Sequence, residues 1–165
     1  MDLQQCWTKF LQAEQFMQQG HWSHAQYLLK EVLTDLPSHL ETALKDEDVK
    51  PCQFSCLLRG LKDASVFQSE ILNKLGYHHQ AYETLNTVYG QYQFWAMDDS
   101  EIISNVTNTL EECIDSLYSH LIAFFKSKKD EPEWLQHLEM LQRAHHNFGS
   151  LKATPYQMST SRLVS

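Results

Sequence analysis

Apolar residues recur at three- and four-residue steps along most of this chain, the spacing that gathers them on one face of an α-helix. Over residues 3–18 the recurring positions are Cys6, Phe10, Ala13 and Phe16 or Met17, and Gly20 ends the run. A second helix is predicted over 22–36, with Trp22, Ala25, Leu29, Val32 and Leu33 or Leu36 inward and Pro37 closing it. A short third helix is expected near 39–45. The polar stretch 45–50 reads as the first clear loop, after which Pro51 suits the first turn of a helix, where a missing N–H costs nothing. That fourth helix is predicted over 51–75, with Gly60 either bending it or allowing a close helix contact and Gly76 stopping it. A fifth is predicted over 78–94, carrying Ala81, Leu85, Val88 and Tyr92 inward.

The run Asp98, Asp99, Ser100, Glu101 offers short polar side chains to the free N–H groups of a helix start. A long sixth helix is therefore predicted over 99–126, and its length suits either a central strut or a homodimer contact. Pro132 opens a seventh, predicted to reach Asn147 with Gly149 as its C-cap. Residues 150–165 lack periodicity and are rich in Ser and Thr, so they read as a mobile tail on one domain spanning 1–149.

Composition supports an all-α chain. Gly and Pro, the helix breakers, number only 5 and 4 in 165 residues. The formal charge is -8, with 13 Lys+Arg against 21 Asp+Glu. Phosphate backbones and anionic membrane surfaces attract cations, so neither nucleic acid nor a membrane is expected as a partner. Lys126, Lys128 and Lys129 cluster where a helix C-terminus favours positive charge. No apolar run is long enough to span a bilayer, and the first residues lack the basic start and apolar core of a signal peptide. Cys52 and Cys56 stand four apart and read as small core residues. With Cys6 and Cys113 they are expected to be free thiols of a cytoplasmic protein.

Two stretches repeat at a separation of 56 residues. Gly20 matches Gly76, Ala25 matches Ala81, Leu29 matches Leu85 and Val32 matches Val88. In the preceding helices Gln12 matches Gln68, Glu14 matches Glu70, and Phe16 matches the apolar Leu72. The physical sense is a glycine turn between antiparallel helices, a small alanine at their crossing, and larger side chains filling the groove.

This pattern resembles the tetratricopeptide repeat. Ala13, Phe16, Ala25 and Pro37 stand where the family places a small residue, an aromatic, a second small residue and a proline. Ser69, Leu72 and Ala81 form a second, incomplete set. The resemblance covers under half the chain. The family's repeat is 34 residues long, whereas these units are 56 apart, no proline closes the second unit, and Lys9 stands where an early aromatic belongs. A short, irregular stack of helical hairpins, or an ordinary bundle of about seven helices, fits this pattern.

Catalytic signals are absent from the sequence. There is no phosphate loop, dinucleotide fingerprint or nucleophile elbow. His21 and His24, His78 and His79, and His145 and His146 lack the spacing and acidic partner of a helical zinc site. Glu111 with Glu112 reads as a solvated face, and Asp98 with Asp99 as a cap. An enzyme is not expected, nor is a metal or cofactor. The resemblance instead implies recognition: in such repeats the first helix of each unit lines a concave surface that cradles a helix or extended peptide. Carried over, that surface comprises Phe10, Glu14 and Met17 in the first unit, and Val66, Glu70, Asn73 and Lys74 in the second. Its apolar and acidic mixture suits a basic or amphipathic protein segment, bound by an adaptor or dedicated chaperone. The alternative is a regulatory or sensor domain holding a small molecule or peptide between its helices.

Overall fold

A computed structural model describes the backbone of residues 1–128 and 130–164 and the side chains of 1–128 and 130–151. Regular structure among the described residues is entirely helical: α1 (Leu3–Gln18), α2 (Trp22–Leu44), α3 (Pro51–Lys74), α4 (His78–Ala96), α5 (Glu101–Asn105), α6 (Thr107–Ser127) and α7 (Pro132–Val164). The chain forms two compact units, Met1–His120 and Leu121–Ser165. Lys129 of the cationic cluster and Ser165 lie outside the described residues.

In the first unit α1 packs on α2, α2 on α3 and α3 on α4, so the helices form two successive hairpins. The hairpins turn identically. Gly20 adopts φ 76° and Gly76 φ 88°, the left-handed region that a side chain strains to enter. The His21 N–H donates to Phe16 O at 2.8 Å and that of Tyr77 to Leu72 O at 2.8 Å, while Gly20 and Gly76 donate to Met17 O and Asn73 O. This is the Schellman closure, which satisfies the last carbonyls of a helix. Beyond each turn Ala25 and Ala81 are fully buried, as their matched positions predict. Ser69 Oγ donates to Ala81 O at 2.9 Å, tying the second crossing together.

Four expectations need correction. Pro37 does not close a helix: α2 runs through it to Leu44 and absorbs the predicted short third helix. A proline inside a helix costs about 3 kcal/mol, but Leu36 and Leu40, 1% and 0% exposed, continue the buried stripe past it. Burying two leucines returns roughly 3–6 kcal/mol, so the helix persists.

The predicted sixth helix is two. The break falls at Val106, with φ -115° and ψ 16°, where Thr107 Oγ1 donates to the carbonyls of both Ile103 and Ser104. A threonine hydroxyl offers those carbonyls an alternative to the regular ladder.

Cys52 and Cys56 are exposed, not core. The buried stripe of α3 follows Phe54, Leu57, Leu58, Leu61 and Ala64, and the two cysteines share the opposite face with exposed Arg59. Cys6 and Cys113 are buried.

Gly149 does not cap α7, which extends to Val164. A single glycine costs a helix only about 1 kcal/mol. In the second unit the start of α7 is fastened by aromatics: Trp134 meets Phe124 edge-on at 5.2 Å, and its indole N–H donates to Glu131 at 2.9 Å.

Candidate partner-binding surface

The surface implied by the resemblance lies on α1 and α3, which the sequence brings side by side through aromatics and one glycine. Phe10 of α1 stacks on Phe67 of α3 with ring centroids 5.9 Å apart, and Trp7 meets Phe10 edge-on at 6.0 Å. Gly60 is buried against Trp7: a Cβ there would stand 2.2 Å from the indole Cη2. The glycine thus serves close approach, the second of the two roles its position allows.

The seven candidate residues divide by environment. Phe10 and Val66, 7% and 8% exposed, belong to the packing beneath the surface. Glu14 and Met17 are half-buried, and Glu70 is open to solvent. Asn73 and Lys74 serve the local structure of their turn. The Asn73 side-chain carbonyl pairs with the His78 imidazole across it, and Lys74 Nζ sits 4.1 Å from the ring centre of Trp22. Glu14 lies one helical turn beyond Phe10, and Glu70 nearly one turn beyond Phe67. The stacked rings therefore set a carboxylate on each of two adjacent helices.

Charge elsewhere in the unit is one-sided. From Leu75 to His120 there is no Lys or Arg, while Asp98, Asp99, Glu101, Glu111, Glu112 and Asp115 are among the acids present. On the outer side of α1 and α2, Lys9 pairs with Glu31. That contact raises the lysine pKa and lowers the glutamate's, chiefly through their hydrogen bond.

Among the cavities beside these helices are two that involve α3. One, of about 440 Å³, is lined by Leu3, Trp7, His39, Val49, Cys56 and Leu57, where α1, α2 and α3 meet. The other, of about 350 Å³, runs between α2 and α4 over α3. The sequence reading identified neither; the repeated match of Gln12 with Gln68 was the available signal for the second. Among the described residues no three His, Cys, Asp or Glu side chains gather as a metal site requires. No described helix is long and apolar enough to cross a membrane. Comparison with models of known families, with curated proteins and with solved structures finds no match for this chain.

Proposed function

We propose that the first unit is a protein–protein interaction module of adaptor or chaperone type, which binds a basic or amphipathic helix or peptide along α1 and α3. The observation that carries this reading is the pair Glu14 and Glu70, set on neighbouring helices by the Phe10–Phe67 stack. Met17 supplies an apolar contact beside Glu14. A partner with Lys or Arg at matching intervals meets both carboxylates. The net charge of -8 steers such a partner from a distance.

The experiment combines Glu14→Lys with Glu70→Lys, confirms the helical spectrum by circular dichroism, and repeats an affinity purification against the unaltered protein. The partners are expected to be lost. Their return at undiminished yield places binding on another surface.

The cavity of about 440 Å³ beside Trp7 favours a second reading, a sensor that holds a small apolar molecule. A ligand screen by thermal shift separates the two. Under this reading hits raise the melting temperature of the Glu14→Lys/Glu70→Lys variant as they do that of the unaltered protein, and Trp7→Ala abolishes the shift.

A further inference from the structure

The groove between α2 and α4 is lined by a glutamine whose buried side-chain oxygen has no hydrogen-bond partner. Gln68, on the α3 floor, is 4% exposed. Its Nε2 donates to the Gln26 carbonyl at 3.3 Å. A carbonyl only accepts, so this contact fixes which end of the amide is the nitrogen and turns Oε1 the other way. Gln68 Oε1 is buried with no hydrogen-bond partner, and the same is true of Gln91 Oε1 on α4. Both residues line the groove, with Leu33, Leu72 and Val88 as its apolar part. Buried polar atoms are almost always paired, so two orphan acceptors in one groove mark a place where donors belong.

The groove also has a counterpart. A cavity of about 520 Å³ on the first hairpin is lined by Gln12, Phe16, His24, Tyr27 and Leu28. Moving 56 residues on gives Gln68, Leu72, Gln80, Glu83 and Thr84, all in the second groove. Only the second has a helix of the preceding hairpin as a further wall, α2, which contributes Gln26, Lys30 and Leu33. It is a surface of the repeat turned into a walled slot.

We propose that this slot binds a short, extended, uncharged polypeptide segment of a partner protein, whose backbone N–H groups donate to Gln68 Oε1 and Gln91 Oε1. Three arguments select that occupant. The acceptors are neutral carbonyls, and a buried cation beside them would lack a buried counter-charge. Lys30 on one wall and Glu83 on the other cancel, so the slot favours neither sign. Gln80 and Gln91 bracket it along α4, which at 1.5 Å per residue makes it about 16 Å long, the span of roughly five extended residues. The rim residues Gln80 and Thr87 are exposed and can both donate and accept, as the peptide's carbonyls require. This binding mode does not use Glu14 or Glu70.

The test pans a phage-displayed library of random heptapeptides on the full chain. Enriched sequences are synthesised with a fluorophore and titrated by fluorescence polarisation. Affinity is expected to fall at least tenfold with Gln68→Leu and with Gln91→Leu. It should also fall when the central peptide nitrogens are methylated, and stay unchanged with Glu14→Lys/Glu70→Lys. Should Gln68→Leu fail to fold, Gln91→Leu on the more accessible helix carries the test alone. The proposal is overturned if no peptide is enriched or if enriched peptides bind the glutamine variants undiminished. It is equally overturned if they carry Arg or Lys and lose affinity with Glu83→Gln.

Discussion

Substituting Gly60 by alanine perturbs a close contact between α1 and α3. The new Cβ would lie 2.2 Å from Trp7 Cη2 and 2.7 Å from Cζ3. Carbon atoms rest at about 3.5 Å or more, so the indole edge must retreat by more than an ångström, and it stacks against Phe10 as it does so. Overpacking of this kind costs roughly 1–3 kcal/mol. Opposing it, alanine is about 1 kcal/mol better than glycine inside a helix. The net expectation is a loss of about 1 kcal/mol, or roughly 2–4 °C in Tm for a chain of this size. The sign should reverse in a Trp7→Ala background: with the indole gone only the helix preference remains, and Gly60→Ala then stabilises by up to about 1 kcal/mol. Urea unfolding followed by far-ultraviolet circular dichroism measures all four proteins without relying on Trp7 fluorescence. If Gly60→Ala has the same effect in both backgrounds within about 0.5 kcal/mol, the two residues are uncoupled and the packing described here is wrong.

Gly20→Ala and Gly76→Ala should each cost about 1–2 kcal/mol. No atom stands within 4 Å of either added Cβ, so the loss comes from backbone strain, and thermal melts of the two variants should agree. Ala25→Leu and Ala81→Leu, at fully buried crossings, should each lower stability by roughly 1–3 kcal/mol; unchanged melting temperatures would remove the hairpin crossings as sites of tight packing. With a thiol reagent at pH 8 the native protein should show fast reaction at Cys52 and Cys56 alone, and denatured protein at four sites. Burial pushes the Cys113 thiol up from 9.0 to about 11. The folded state therefore holds this proton more tightly than the unfolded one. Its contribution to stability is complete below pH 9 and is lost as pH rises towards 11, a loss that Cys113→Ala should diminish in alkaline denaturation curves.

Helix positions were legible where local chemistry decides them. α1 begins and ends where the apolar rhythm and Gly20 place it, and Pro51 opens α3 as a first-turn proline should. Two of the misreadings share one cause. Pro37 and Gly149 read as helix ends from what each residue does to an isolated helix, yet the outcome at Pro37 is decided by Leu36 and Leu40, whose burial depends on neighbouring helices. The cysteine pair failed for a related reason. Spacing showed that Cys52 and Cys56 share a face, but which face turns inward is settled by the larger residues Phe54, Leu57 and Leu58. The candidate surface was legible only as a pattern. Periodicity could place Phe10 and Glu14 one turn apart, but not show that Phe10 would be covered by Phe67 while Glu70 stayed open.

The matched glutamines show how one repeat yields two kinds of site. Gln12 and Gln68 occupy the same position in their hairpins, yet Gln12 is exposed and Gln68 is 4% exposed. The difference comes from what lies alongside. The side of α1 bearing Gln12 carries Gln4, Thr8 and Gln15, which suit water, whereas the corresponding residues of α3 are Gly60, Ala64 and Ile71, all buried. Packing a preceding hairpin against that apolar set draws Gln68 inward, where its nitrogen finds the Gln26 carbonyl and its oxygen does not find a donor. A leucine there would fill the same space without an orphan acceptor. Since an unpaired buried oxygen costs about 1–3 kcal/mol, Gln68→Leu should leave the free protein at least as stable, after losing only the 3.3 Å contact to Gln26. A variant that gains stability while losing peptide binding would separate the two roles of the side chain. A variant that unfolds would show that the amide serves the hairpin interface itself.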